Sequence, residues 1–234
     1  MRREAIRSER VVLRLTPYAL RLTILMTDTR LVPARPGRGV LREKGSRFLA
    51  FASPIESAEG AAEEIQRLRR EYHDATHVAF AWKIGSGDAA RTRASDDGEP
   101  SGTARKPIAL AIEAAGVTDV LVAVVRTFGG IKLGTAGLAR AYREAAARAL
   151  SEAGRRLLRE TVRILVTCRY ESAGAVRRLL RPPEVSLLEE RFGAECRFRI
   201  LVQPSRLANL TRALEAARLT YEIESLEGGQ KTRV

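Results

Sequence analysis

An unbroken apolar run, Val120-Leu121-Val122-Ala123-Val124-Val125, leads through Phe128-Gly129-Gly130-Ile131-Lys132-Leu133-Gly134 into Leu138-Ala139-Arg140-Ala141-Tyr142-Arg143-Glu144. The run reads as a buried strand and the last segment as an amphipathic helix, so the chain must pass from one to the other through glycines. Such a junction allows positive φ and close backbone approach, and it can present several N–H groups and one ammonium to an anion. The helix N-terminus adds roughly half a positive charge. Leu133 follows Lys132 where a nucleotide-binding loop places a metal-binding hydroxyl, so Walker-type ATPase chemistry is excluded. A phosphate site built from Arg126, Gly129, Gly130, Lys132, Gly134, Arg140 and Arg143 is the expectation. The plainer alternative is a tight turn with a solvated lysine.

Upstream, Ser95-Asp96-Asp97-Gly98-Glu99-Pro100-Ser101-Gly102-Thr103 concentrates three carboxylates in a polar loop between Asp88 and Thr103. Clustered carboxylates can hold a hard cation or act as an acid/base pair. Asp-Gly and Glu-Pro also form turns, and Ser101 or Thr103 is placed to cap a helix starting near Pro107. The favoured expectation is a rigid loop that shapes a binding face, with no metal and no cofactor. His73-Asp74-Ala75-Thr76-His77 imitates a zinc-protease pentad, but Asp replaces the Glu and the helix is predicted to end near His73. His77 is instead expected on the surface that the two loops share, or hydrogen-bonded in the core.

These two motifs, with Gly45-Ser46-Arg47-Phe48 and Ala75-Thr76-His77, resemble the IMPACT/YigZ family from about Lys44 to Leu150. The sequence departs from that pattern at Val78-Ala79, Arg105, Thr127 and Ala136. The resemblance implies an N-terminal α+β sandwich similar to domain IV of the translocating elongation factor, followed by a ferredoxin-like domain. It further implies a role in translation: eukaryotic relatives bind a ribosome-associated activator of the starvation-responsive initiation-factor kinase. The leading expectation is a non-enzymatic, cytoplasmic protein that binds RNA, the ribosome or a translation factor. The alternatives are an enzyme acting on a phosphorylated or acidic small substrate through the acidic loop, and a pure protein-interaction module.

At 234 residues, with 45% apolar and 29% charged side chains, the chain can build one large or two small cores. No apolar run is long enough to span a membrane. Cys168 and Cys196 have neither a disulfide framework nor metal-ligand spacing, and buried reduced thiols are expected. The net charge of +13 divides into +6 over residues 1–39, +2 over 41–150 and +5 thereafter. The motif-bearing region is therefore nearly balanced, and the basicity, which points to an RNA- or ribosome-facing surface, resides in the tail and the second domain.

Three segments are expected. Residues 1–40 read as a basic tail and a Pro/Gly linker, with Met26 standing where chains of this kind usually begin; translation from Met26, a basic nucleic-acid arm and a transit peptide are the competing readings. Residues 41–154 read as the motif-bearing domain. Residues 155–234 follow β-α-β-β-α-β order, the ferredoxin-like arrangement. The fold class is α+β.

Overall fold

A computed structural model describes residues 28–87 and 90–224. The chain is α+β and its described residues form two compact units, one from Thr29 to Leu158 and one comprising Asp28 and Arg159 to Glu224. The first unit contains strands β1 (Thr29–Pro33), β2 (Gly37–Glu43), β3 (Ser46–Pro54), β4 (His77–Ile84), β5 (Arg91–Ser95) and β6 (Val120–Thr127). Its helices are α1 (Ala58–Glu71), α2 (Arg105–Ala115) and α3 (Gly134–Ala153), and strand β7 (Arg155–Arg159) follows. Five strands form one antiparallel sheet in the order β2-β3-β6-β4-β5, while β1 and β7 pair separately.

The apolar run on β6 sits at the centre of this sheet, and its alternation serves two cores. Val120, Val122 and Val124 face a cluster with Phe48, Ile108, Leu138 and Tyr142 under α2 and α3. Leu121, Ala123 and Val125 face a second cluster with Ile65, Leu68, Phe80 and Trp82 under α1. A strand covered by helices on both faces needs apolar side chains in both directions, which is why β6 shows no polar alternation. The amide of Gly60 donates to Ser57 Oγ at 3.1 Å, which caps α1.

The reading of residues 31–39 as a linker is corrected: this stretch carries β1 and the start of β2. Its glycines serve packing. A Cβ at Gly37 would lie 2.2 Å from the Ala149 carbonyl oxygen, and one at Gly39 would lie 2.5 Å from that of Ala145. Helix α3 therefore rests directly on the backbone of β2, through a small-residue face of Ala145, Ala149 and Ala153. The expected break after Gly154 is also displaced, because β7 returns to pair with β1 before the second unit begins. Strand β5 is a further addition, an edge strand inside the segment expected to be loop. The reading that translation starts at Met26 and the basic tail of residues 1–27 lie outside the described residues.

The second unit contains β8 (Val162–Cys168), α4 (Ala173–Leu179), β9 (Val185–Arg191), β10 (Cys196–Val202), α5 (Pro204–Ala216) and β11 (Thr220–Glu224). The sheet order β11-β8-β10-β9, with every described pairing antiparallel, is the ferredoxin-like topology. Val162, Ile164, Val166, Phe198 and Ile200 pack with Leu207, Leu210 and Leu214 of α5. Cys168 and Cys196 are buried, free thiols at facing positions of β8 and β10.

Candidate functional site

Both sequence motifs converge at one end of the five-stranded sheet. The register places Phe48, Arg126 and His77 side by side on β3, β6 and β4. The acidic loop and the N-terminal half of α3 close over this row. Arg126 Nη1 donates to Glu99 Oε1 at 2.6 Å, and the Tyr142 hydroxyl donates to the same oxygen at 2.7 Å. The Arg126 and Glu99 side chains are only 7% and 2% exposed, so the pair is held away from water and its charges depend on each other. The Arg126 guanidinium lies 5.5 Å from the Phe48 ring centroid and 5.6 Å from that of Phe128. Phe48 and Tyr142 meet edge to face at 5.2 Å. Burial, followed by the hydrogen bond to Glu99, pushes the Tyr142 phenol well above its ordinary pKa, so it stays a donor.

His77 joins the loop to this cluster. Its Nδ1 donates to the Asp97 carbonyl at 2.7 Å, since a carbonyl can only accept, and its Nε2 faces Glu99 Oε1 at 3.9 Å. The helix preceding it ends at Glu71 and His77 opens β4, so the two histidines of the pentad sit on different elements.

The other two carboxylates are structural fasteners. Asp97 accepts from the Val78 amide at 2.7 Å and from Arg69 Nη2 at 2.6 Å, tying the loop to β4 and α1. Asp97 and Gly98 take φ values of 48° and 87°, a left-handed pair that the Asp-Gly sequence tolerates. Asp96 accepts from the amides of Gly102, Ala104 and Arg105 at 2.8, 3.0 and 2.8 Å. Ser101 or Thr103 was the expected cap of α2; the Thr103 hydroxyl instead donates to the Pro100 carbonyl at 2.6 Å, and Asp96 supplies the cap from outside the helix.

Burial works against the Asp96 charge, but the Arg105, Gly102 and Ala104 amides outweigh it and hold the carboxyl below its usual range. A depressed native pKa means that this contribution is fully present above the unfolded-state pKa and is lost as pH falls through the folded one. Asp96→Ala is expected to cost about 1–2 kcal/mol at neutral pH. The difference from wild type should shrink on acidification, as followed by urea denaturation across an acid pH series.

The glycine-rich loop differs from the expected phosphate cradle. Arg126 is consumed by Glu99 and is not available to a ligand. The Gly129 amide donates to Ser46 Oγ at 3.2 Å and the Phe128 amide to Thr76 Oγ1 at 3.0 Å, so both point into the fold. Arg140 reaches Glu43 at 2.6 Å. Gly130, Lys132, Gly134 and Arg143 remain exposed, with open space where a Cβ at Gly130 or Gly134 would stand. The loop also displays apolar surface that its sequence did not announce: Phe128 is 43% and Ile131 57% exposed. Ser46, Thr76 and Tyr142 are site residues that motif reading left out. The signal for the first two lay in the short Gly-Ser-Arg-Phe and Ala-Thr-His fragments, whose hydroxyls receive the loop amides.

This architecture defines a class: a layered α+β unit with an inward-locked polar cluster under a displayed loop, joined to a ferredoxin-like unit. The Impact N-terminal domain matches residues 44–150. The chain is 42% identical over 159 residues to the IMPACT family member in the pol 5′ region of Thermus thermophilus, covering 68% of this chain and 85% of that one. It is 30% identical over 185 residues to the IMPACT family member YigZ of Escherichia coli (strain K12), covering 79% and 91% respectively. A solved structure described as a hypothetical protein superposes with a TM-score of 0.61 at 27% identity, covering 86% of this chain and 99% of that one. The chain belongs to the IMPACT family.

Proposed function

We propose that this protein is a non-enzymatic, cytoplasmic binding protein that regulates translation by docking on a translation-related protein through the loop end of its N-terminal sheet. One observation carries the reading. Every carboxylate of the acidic motif is turned inward and bonded, to Arg126 and Tyr142, to backbone amides or to Arg69, whereas Phe128, Ile131 and Lys132 face solvent. Groups so fully engaged make a stiff scaffold and are poorly placed for acid/base work or for a cation. The glycine-rich loop is fastened beside this scaffold by its Phe128 and Gly129 amides, so displaying its apolar tips costs less ordering entropy on binding, which suits it to a protein partner. Lys44, in the turn against which Gly129 packs, and Lys132 supply positive charge, so an apolar surface rimmed by acidic residues is the matching partner.

No helix among the described residues is long and apolar enough to cross a membrane. The translational role rests on kinship, as the family resemblance implies it. Sucrose-gradient sedimentation of cell extract tests the reading. Co-sedimentation with a translation complex should survive nuclease and high salt. Ile131→Asp should weaken it roughly tenfold, the loss of about 1–2 kcal/mol usual for a buried apolar contact at an interface. Release by nuclease alone, or no effect of Ile131→Asp, would overturn the proposal.

A further inference from the structure

We infer that the uncovered face of the C-terminal sheet binds the sugar-phosphate backbone of single-stranded RNA. Helices α4 and α5 pack on one face of this sheet, and no described helix of the same unit packs on the other. Residues that share the uncovered face follow from the register: Arg191, Arg197, Thr167 and Thr220 form one row across all four strands. Arg191 and Arg197 are directly opposite each other, an arrangement of like charges that weakens a sheet. Arg169 and Arg218 line the same depression, whose volume is about 630 Å³. Arg191 is held by Glu189 at 2.5 Å, while Arg169, Arg197 and Arg218 have no ion-pair partner among the described residues. Five guanidiniums, Arg199 included, line the hollow against the three carboxylates of Glu189, Glu195 and Glu222, so an excess of positive charge is left for an anion.

The chemistry of the row selects the ligand. Guanidinium forks bind phosphate oxygens in pairs, and guanidiniums on neighbouring strands are spaced to take more than one phosphate of a chain. The Thr167 and Thr220 hydroxyls of the same row suit a ribose 2′-hydroxyl. The row carries no aromatic side chain. Tyr221 on β11 instead donates its hydroxyl to Glu215 of α5, on the helical side. Bases therefore find no stacking platform within the row, the exposed Tyr170 and Phe192 being packed edge to face on each other at its margin, and binding is to the backbone, without sequence preference. The neighbouring row places Glu189 and Glu222 on either side of Arg199 and Leu165, confining a polyanion to the cationic end.

Fluorescence anisotropy with a labelled oligouridylate of about a dozen nucleotides, on the full chain, tests the assignment. The double variant Arg191→Gln/Arg197→Gln should raise Kd about tenfold and reduce the salt slope by about 1.4, two phosphate contacts at about 0.7 each. Arg212→Gln, on the exposed side of α5, should change neither, and oligodeoxythymidylate should bind more weakly. An unchanged Kd and salt slope in the double variant would overturn the site. So would an equal loss in Arg212→Gln or in Lys132→Ala, or equal competition by uridine monophosphate at matched phosphate concentration. Circular dichroism of each variant separates lost binding from lost folding. Because the proposed protein-docking loop lies in the other unit, Ile131→Asp should leave RNA binding intact, so either proposal can fail alone.

Discussion

Glu99→Ala is expected to destabilise the protein by about 3–5 kcal/mol, the cost of leaving one partner of a buried ion pair without the other. Glu99 Oε1 is the acceptor for both Arg126 and Tyr142, and truncation would strand a guanidinium and a phenol in a region closed to water. Against a total stability of about 5–15 kcal/mol, this is a large fraction. Urea denaturation at neutral pH measures it. Two further variants identify the cause. Glu99→Gln keeps the shape and one acceptor but loses the charge, and should fall between wild type and Ala. Glu99→Leu combined with Arg126→Met removes both charges and should recover much of the loss, since a matched apolar replacement of a buried pair is often tolerated. A cost below about 1 kcal/mol for Glu99→Ala would mean that Arg126 finds water, contrary to its burial. The substitution should also weaken partner binding beyond its effect on folding, because the Phe128 ring rests beside the Arg126 guanidinium.

Gly129→Ala is expected to cost about 3 kcal/mol or more, at the upper end for overpacking, because its surroundings cannot yield. The new Cβ would stand 1.9 Å from the Gly45 carbonyl carbon and 2.2 Å from the Ser46 amide nitrogen. Both are backbone atoms of the tight turn between β2 and β3, where Lys44 and Gly45 have φ values of 46° and 78°. The loop would have to lift away, breaking the Gly129 amide to Ser46 hydrogen bond. The neighbouring glycine provides the contrast. Gly130 has open space around a Cβ but a φ of 86°, so Gly130→Ala should cost only about 1–2 kcal/mol of backbone strain. Denaturation midpoints of the two variants, with hydrogen exchange at the Ser46 and Gly129 amides, would show the difference. Equal costs would mean that the close approach to Gly45 is not kept in solution.

Much of the architecture was legible in the chain because it is encoded locally. The β6 run and the strand–helix order of the second unit rest on periodicity and turn chemistry within short windows. The errors have a common origin. Gly37 and Gly39 read as linker because glycine ordinarily marks a break, yet here it marks contact with α3, more than a hundred residues further along the chain. Strand β5 was hidden because Arg91-Thr92-Arg93 lies on an exposed edge, where no apolar alternation is needed. Asp96 caps a helix it does not adjoin, and sequence offers no spacing rule for a cap delivered by a loop.

The candidate site divides in the same way. Sequence alone determined that two glycine- and carboxylate-bearing motifs exist, that a strand feeds a helix between Val120 and Glu144, and which family they resemble. It also showed that the motif-bearing region is nearly charge-balanced. Only the tertiary structure decided what the charges do. Arg126 looks like a free cation beside a glycine loop until the β3-β6-β4 register and the acidic turn bring Glu99 and Tyr142 onto it. Ion pairing and burial depend on distances through space, which composition and spacing along the chain do not contain. Local periodicity specifies the elements, whereas the packing of distant backbones determines which polar groups are spent within the fold and which are left for a partner.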